Sequence, residues 1–254
     1  HWTLDLRKKY NQIYFDELNN QVHLEAGIKM SKLLKKISSR NQSFPIGLSG
    51  EVGIGYILSG GISPISRSKG LAIDQLLNIK GFWGTGEILD IKKPNNSSSS
   101  KEKKIWKGLC GAAGFLGIIT SVKVKTHKNS PLYISQAFIS PDQLIETVNQ
   151  AEEWPFSASL QWIWSNKIKV YITVDLNQSN NIKTAEELIK KLPYYYSMKS
   201  TLVSGLQELP KFNPPITKET YDHKIHSEVL SLLTKTWGSN SKELVKKLAM
   251  LIDK

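Results

Sequence analysis

FPIGLSGEVGIGYILSGGISPISRSKGLAID, residues 44–74, is unlike the rest of this 254-residue chain. Seven glycines (Gly47, Gly50, Gly53, Gly55, Gly60, Gly61 and Gly70) stand there among apolar residues. Glycine at that density predicts tight turns and backbone lying close to something else. The pattern also excludes three common sites. A dinucleotide-binding turn needs G-x-G-x-x-G; Gly53-Ile54-Gly55 starts one, but Leu58 stands at the third glycine position. A phosphate-binding P-loop needs Gly-Lys followed by Ser or Thr, which occurs nowhere in the chain. Gly47-Leu48-Ser49-Gly50-Glu51 misses the nucleophile elbow, because Glu51 holds the place of the last glycine.

Upstream, residues 21–26 (QVHLEA) put Val22 and Leu24 on one face and predict a strand. Met30, Leu33, Leu34 and Ile37 follow at helical spacing. Downstream, residues 76–79 and 87–91 predict strands. Residues 94–104 (PNNSSSSKEKK) predict a surface loop, and 105–109 a single helical turn. Residues 111–117 form a second glycine- and alanine-rich turn, and 118–124 alternate as a strand. Near 126–130 the pattern changes and glycine becomes scarce, which marks the expected domain boundary: 1–128 and 129–254.

The second half carries cleaner signals. Residues 132–139 predict a strand. Ser140-Pro141-Asp142-Gln143 is a capping box with proline at the first helical position. Leu144, Ile145, Val148 and Ala151 supply the apolar stripe of that helix. Residues 160–164 and 168–174 predict a hairpin turning at Ser165-Asn166-Lys167. A helix is expected to start at Thr184-Ala185-Glu186-Glu187, and further helices at 228–233 and 244–251. Both ends of the chain read as cuts through a larger protein.

The chain has 34 basic and 22 acidic residues, a formal charge of +12. Arginine occurs only at Arg7, Arg40 and Arg67, so lysine supplies nearly all the positive charge. Nucleic-acid readers exploit the bidentate fork of arginine, so no nucleic-acid partner is expected. The single cysteine, Cys110, excludes an internal disulfide and any cysteine-rich zinc module. No apolar run is long enough for a membrane helix, and no membrane partner is expected. The default expectation for location is the cytoplasm.

Phe44-Pro45-x-Gly47, Val52-Gly53-Ile54-Gly55, Gly60-Gly61-Ile62 and Ser66-Arg67-x-x-Gly70-Leu71-Ala72-x-Asp74 together resemble the flavin-binding segment of the vanillyl-alcohol oxidase and p-cresol methylhydroxylase flavoproteins. The nearest branch holds berberine-bridge enzymes and oligosaccharide oxidases. Residues 111–122 (GAAGFLGIITSV) are similar to the turn and strand that close the same domain. The resemblance covers residues 2–125 and, more loosely, 140–173. It implies an α+β fold: the second half of a two-subdomain FAD-binding domain, then part of a substrate domain built on an antiparallel sheet with helices. It implies FAD as cofactor. Gly47, Leu48, Ser49, Val52, Gly53 and Gly55 would line the diphosphate and isoalloxazine, Gly60 and Gly61 would continue that wall, and Gly117, Ile118 and Ile119 would meet the adenosine side. The sheet of the second domain would face the flavin, so Gln161, Trp162 and Tyr171 become substrate candidates. Two tryptophans on one strand face, Trp162 and Trp164, read more often as core than as a cavity lining.

The implied activity is oxidation of an alcohol, sugar or amine carbon by hydride transfer to flavin; the alternative is a non-catalytic binding protein on the same scaffold. The implied partner is a small-molecule substrate, with oxygen among the acceptors that would reoxidise the flavin. Three departures stand out. Ser49 replaces the cysteine that often forms a thioether to the flavin in this branch. Tyr56 directly follows Gly55, where a further glycine is usual. Ser59 and Ser63 also stand at glycine positions. The family's catalytic base lies in a late segment beyond residue 254, so no catalytic residue is nominated. His223 and His226 share a helical spacing that fits a solvated face better than a metal site, and His23 falls within a strand.

Overall fold

The computed structural model describes residues 3–47, 50–164, 167–177, 181–209, 228–232 and 243. The chain divides into two units: residues 1–63 with 70–129, and residues 64–69 with 130–254. Helices and antiparallel sheets make the fold α+β.

In chain order the first unit contains β1 (Ile13–Asp16), β2 (Gln21–Glu25), α1 (Met30–Ser38), β3 (Gln42–Ser43) and α2 (Ile54–Leu58). The short α3 (Ser66–Lys69) belongs to the second unit. The first unit then resumes with β4 (Leu76–Trp83), β5 (Ile88–Lys92), α4 (Ser100–Leu116), β6 (Gly117–Lys125) and β7 (His127–Lys128). Its main sheet runs β1-β2-β6-β4-β5, antiparallel throughout, and β3 pairs with β7. Strict alternation carries β2: Val22 and Leu24 are fully buried between partly exposed Gln21, His23 and Glu25. The same core takes Val122 and Val124 from β6, Ile79 from β4, and Met30, Leu33 and Ile37 from α1.

The start of α1 has no side-chain cap. Its first amides, of Met30 and Ser31, instead donate to the carbonyls of Val52 and Gly50, each at 2.8 Å. The glycine-rich segment thus satisfies the orphan donors of a helix as it passes over it.

The second unit adds β8 (Leu132–Ile139), α5 (Pro141–Ala151), β9 (Ala158–Trp164), β10 (Ile168–Asp175), α6 (Ile182–Lys190), β11 (Lys199–Val203) and β12 (Glu228–Leu232). Its sheet runs β11-β8-β10-β9-β12, again antiparallel. Leu160 and Trp162 of β9 and Val170 and Ile172 of β10 share a core with Leu144 and Val148 of α5 and Leu188 and Ile189 of α6. The predicted capping box is present: Ser140 accepts from the Gln143 amide, and the Gln143 side chain accepts from the Ser140 amide at 2.9 Å. Such a cap stabilises a helix by about 1 kcal/mol.

Three expectations need correction. The loop at 94–104 ends at Ser99, whose capping box with Glu102 starts α4; the helix runs through the expected glycine turn to Leu116. Its one interruption is a kink at Cys110 and Gly111, where Gly111 takes φ +115°. Residues 228–232 form a strand rather than a helix, pairing with β9 from Glu228↔Trp164 to Leu232↔Leu160. A short apolar run suits either element, and sheet pairing decides it. The helix expected from Thr184 starts earlier, capped by Asn181, which accepts from the Thr184 amide at 3.0 Å. The turn residues Ser165 and Asn166, the pair His223 and His226, and the helix expected at 244–251 lie outside the described residues, Glu243 marking a helical position just before that last one.

Candidate functional site

The first glycine segment contains a helical turn. Ile54, Ile57 and Leu58 are buried at helical spacing and form α2, with Gly53 as its extended N-cap. α2 packs against α4, so the two glycine-rich blocks predicted from the sequence meet inside one unit.

Tyr56 organises the first block. Its hydroxyl donates to the Ile62 carbonyl. A Cβ placed on Gly47 would lie 2.8 Å from that hydroxyl, and one on Gly61 would lie 2.9 Å from the ring edge and 2.5 Å from Ala72 Cβ. The ring is thus a strut between two stretches of bare backbone. Burial pushes the phenol up to about 12, against backbone hydrogen bonding at Ile62 and Gly47, so it stays neutral at physiological pH. Gly60 and Gly61 take φ of +132° and +75°, which a residue with a side chain rarely adopts. Their carbonyls accept from Ile73 and Ala72 at 2.8 and 2.9 Å, which fixes the turn.

The nominated glycines fall into two kinds. Gly47, Gly61 and Gly117 are glycine for packing: Tyr56 fills the space at the first two, and at Gly117 a Cβ would run into the Phe82 carbonyl of the neighbouring strand. Gly55 and Gly60 have nothing within 4 Å of where a Cβ would sit, and Gly108, Gly111 and Gly114 of α4 are equally open. At Gly53 the nearest atom, the Ile28 carbonyl oxygen, is an ordinary 3.6 Å away. Val52 is partly buried beside the core. Leu48 and Ser49 lie outside the described residues.

Ile118 and Ile119, at the start of β6, point to opposite sides. Ile119 is buried. Ile118 is 47% exposed and pairs with Phe82, which pairs with Ile88, 79% exposed, so three apolar side chains form one open row across β6, β4 and β5. Cys110 is half-buried, and burial pushes its thiol up, away from the thiolate form.

In the second unit, β9 and β10 place Gln161 directly opposite Tyr171, and β8 places Gln136 on the other side of Tyr171. These three make a polar row on one face of the sheet. Lys169, two residues along on the same face, holds its Nζ 4.9 Å from the Tyr171 ring centroid and 5.7 Å from that of Phe138. Trp162 lies on the opposite face, 1% exposed, inside the core with α5 and α6. Gln161 and Tyr171, 7% and 3% exposed, face the other side of the sheet. The sequence alone nominates neither Gln136 nor Lys169: Lys169, two residues from Tyr171 on one strand, is within reach of period-two alternation, whereas Gln136 joins the row only through the pairing of β8 with β10. Among the described residues, no group of three His, Cys, Asp or Glu side chains is arranged to hold a metal. No helix among them is long and apolar enough to cross a membrane.

Residues 1–92 match the family model described as FAD binding domain. An uncharacterized FAD-linked oxidoreductase of Bacillus subtilis is 32% identical over 149 residues, 58% of this chain and 32% of that protein. Berberine bridge enzyme-like 24 of Arabidopsis thaliana is 25% identical over 213 residues, 81% of this chain and 36% of that protein. The chain therefore spans about a third of the length of these two relatives. Among solved structures, a xylooligosaccharide oxidase from Myceliophthora thermophila overlays with a TM-score of 0.66 at 15% identity, over 79% of this chain and 44% of that one. A chitooligosaccharide oxidase overlays with a TM-score of 0.65 at 17% identity, over 80% and 43%. At such identities the overlays establish the fold alone. Residues 1–92 thus match an FAD binding domain, and the chain is similar to FAD-linked oxidoreductases and berberine bridge enzyme-like proteins, with a fold shared by oligosaccharide oxidases.

Proposed function

We propose that this chain supplies the flavin-contacting backbone and part of the substrate face of an FAD-dependent oxidoreductase acting on an alcohol, sugar or amine carbon. The first unit is the partial FAD-binding domain in this reading and the second the partial substrate-binding domain. The observation that carries it is the open backbone at Gly55, Gly60, Gly111 and Gly114, where nothing lies within 4 Å of an added Cβ. Glycine inside a helix costs about 1 kcal/mol against alanine. At Gly55 and Gly114 no packing within the protein calls for that cost. A flat ring or a diphosphate lying against the backbone does, and FAD has both. The residues present therefore fit the cofactor.

FAD, when bound, supplies the hydride acceptor for the two-electron oxidation. The work of the chain is binding and orientation. Val52 offers an apolar edge beside the open glycines, and Ile118 an exposed apolar surface for the adenosine side. On the second unit, the Gln161 amide and the Tyr171 hydroxyl are the polar groups that would orient a substrate hydroxyl or amine. No residue of this chain is assigned the role of base. The relatives that are oxidases of oligosaccharides favour a sugar or similar alcohol as substrate. None of the comparisons favours a non-catalytic role on the same scaffold.

Gly55→Leu and Gly114→Leu test this directly. The added Cβ enters open space at both positions and leucine improves helix propensity, so the folded protein is expected to keep or gain thermal stability. Flavin affinity, read by fluorescence titration, is expected to fall sharply in both. Unchanged FAD affinity in two folded variants would show that these glycines face no cofactor.

A further inference from the structure

One face of the second unit's sheet packs on α5 and α6, and the opposite face carries Gln161 and Tyr171. Toward β11, the register builds a patch on that opposite face across three strands. Lys199 of β11 stands opposite Gln136 of β8. Phe138, two residues further along β8, stands opposite Lys169 of β10. Side chains so paired have Cβ atoms about 4.5–5.5 Å apart. An aromatic ring and an amide are thus flanked by two lysines.

Three features of this patch point to a ligand. Phe138 is 62% exposed, a large ring left open on a strand. Gln136 Oε1 is buried with no hydrogen-bond partner, an acceptor that folding leaves unsatisfied and a ligand donor would satisfy. The third feature is charge. Lys169 Nζ lies over the Tyr171 and Phe138 rings, yet no carboxylate pairs with it or with Lys199 among the described residues. Asp175 faces the same way, but it lies six residues from Lys169, about 20 Å along β10, and Lys69 Nζ sits 3.3 Å from it. The patch is therefore positive and carries no anion of its own among the described residues.

We propose that this patch selects a substrate bearing a carboxylate, a polyhydroxy acid rather than a neutral sugar, with Lys169 and Lys199 as specificity-determining residues. The apolar face of the substrate lies on Phe138, its carboxylate accepts from Lys169 Nζ, Lys199 adds positive potential, and one hydroxyl donates to Gln136 Oε1. This deepens the substrate reading above and rests on it, while the recognition lies wholly within the second unit. A neutral sugar can use the ring and the amide but gains nothing from the lysines. Both ammonium groups are reached by water, so the preference is modest, about fivefold in affinity.

Binding of D-glucuronate and D-glucose to the full chain without flavin, followed by NMR shift titration, tests this. Glucuronate should bind about fivefold more tightly in the parent, and the gap should narrow as salt rises. Lys169→Met, which keeps a stem to cover the rings, should bring the two ligands close to parity, and Lys169→Arg should keep the preference. Lys183→Met, on α6 at the other face of the sheet, removes the same charge from the chain and should leave the preference intact. Equal binding of the two ligands by the parent, binding of neither, or a preference that survives both Lys169→Met and Lys199→Met would overturn the proposal. So would equal losses in Lys169→Met and Lys183→Met, which would trace the preference to net charge. An FAD titration of the same samples keeps the two readings apart: a parent that binds FAD but shows no preference loses only the acid specificity, and one that binds no FAD loses the flavin reading.

Discussion

Replacing Tyr56 by phenylalanine removes one oxygen and leaves the ring. That oxygen donates to the Ile62 carbonyl and sits 2.8 Å from where a Cβ on Gly47 would be. A neutral hydrogen bond contributes about 0.5–1.5 kcal/mol net, and leaving its partner dry costs about 1–3 kcal/mol. Ile62 is 43% exposed rather than buried, so the loss belongs at the low end, about 1 kcal/mol. For a chain of this size that is a fall of about 2–4 °C in melting temperature. Gly47→Ala should cost more in the parent, because its methyl meets the hydroxyl. In the Tyr56→Phe background the nearest remaining atom is the ring carbon at 3.1 Å, so the same change should be better tolerated. The two substitutions must then be non-additive, the double variant losing about 0.5–1 kcal/mol less than the sum. Urea unfolding of the four proteins measures this. Additivity within about 0.3–0.5 kcal/mol would show that Tyr56 and Gly47 do not share a contact, and the strut would be refuted.

Tyr56 and Tyr194 both have phenols raised by burial to about 12, Tyr194 despite its hydrogen bond to Thr147. A folded value above the unfolded value of about 10 means that the stability they contribute is whole below pH 10 and is lost as pH rises toward 12. Melting temperature should therefore drop between about pH 10 and 12, and Tyr194→Phe should flatten that drop. Gly117→Ala pushes a methyl into the Phe82 carbonyl and should break the end of the β4–β6 pairing, seen as loss of a cooperative melt by circular dichroism. Gly108→Ala, on the open side of α4, should instead raise the melting temperature, reflecting about 1 kcal/mol of helix propensity.

What the sequence makes legible here is local. QVHLE alternates, and its strand follows; Ser140 and Gln143 are three residues apart, and their cap forms. The glycine blocks are equally plain, because no other residue type crowds an apolar stretch in that way. What stays hidden depends on distant partners. EVLSL becomes a strand only because β9 offers it an edge. Ser99 starts α4 inside a stretch whose composition reads as loop, and the glycines of 111–117 conceal a helix that bends at Gly111 and continues. Trp162 and Gln161 are neighbours in sequence, yet only the packing of α5 and α6 tells which face is core. The two kinds of glycine also look alike in the sequence. Tyr56 makes Gly47 and Gly61 structural, while the emptiness around Gly55 and Gly60 makes them candidates for a ligand.

A titration of FAD into the purified protein, following flavin fluorescence and the visible absorption band, tests whether the open glycines meet a flavin. Saturable quenching with a shifted, structured visible band is expected in the parent, and weakened binding in Gly55→Leu. A protein with a cooperative melt that leaves both flavin signals unchanged would contradict the flavin reading.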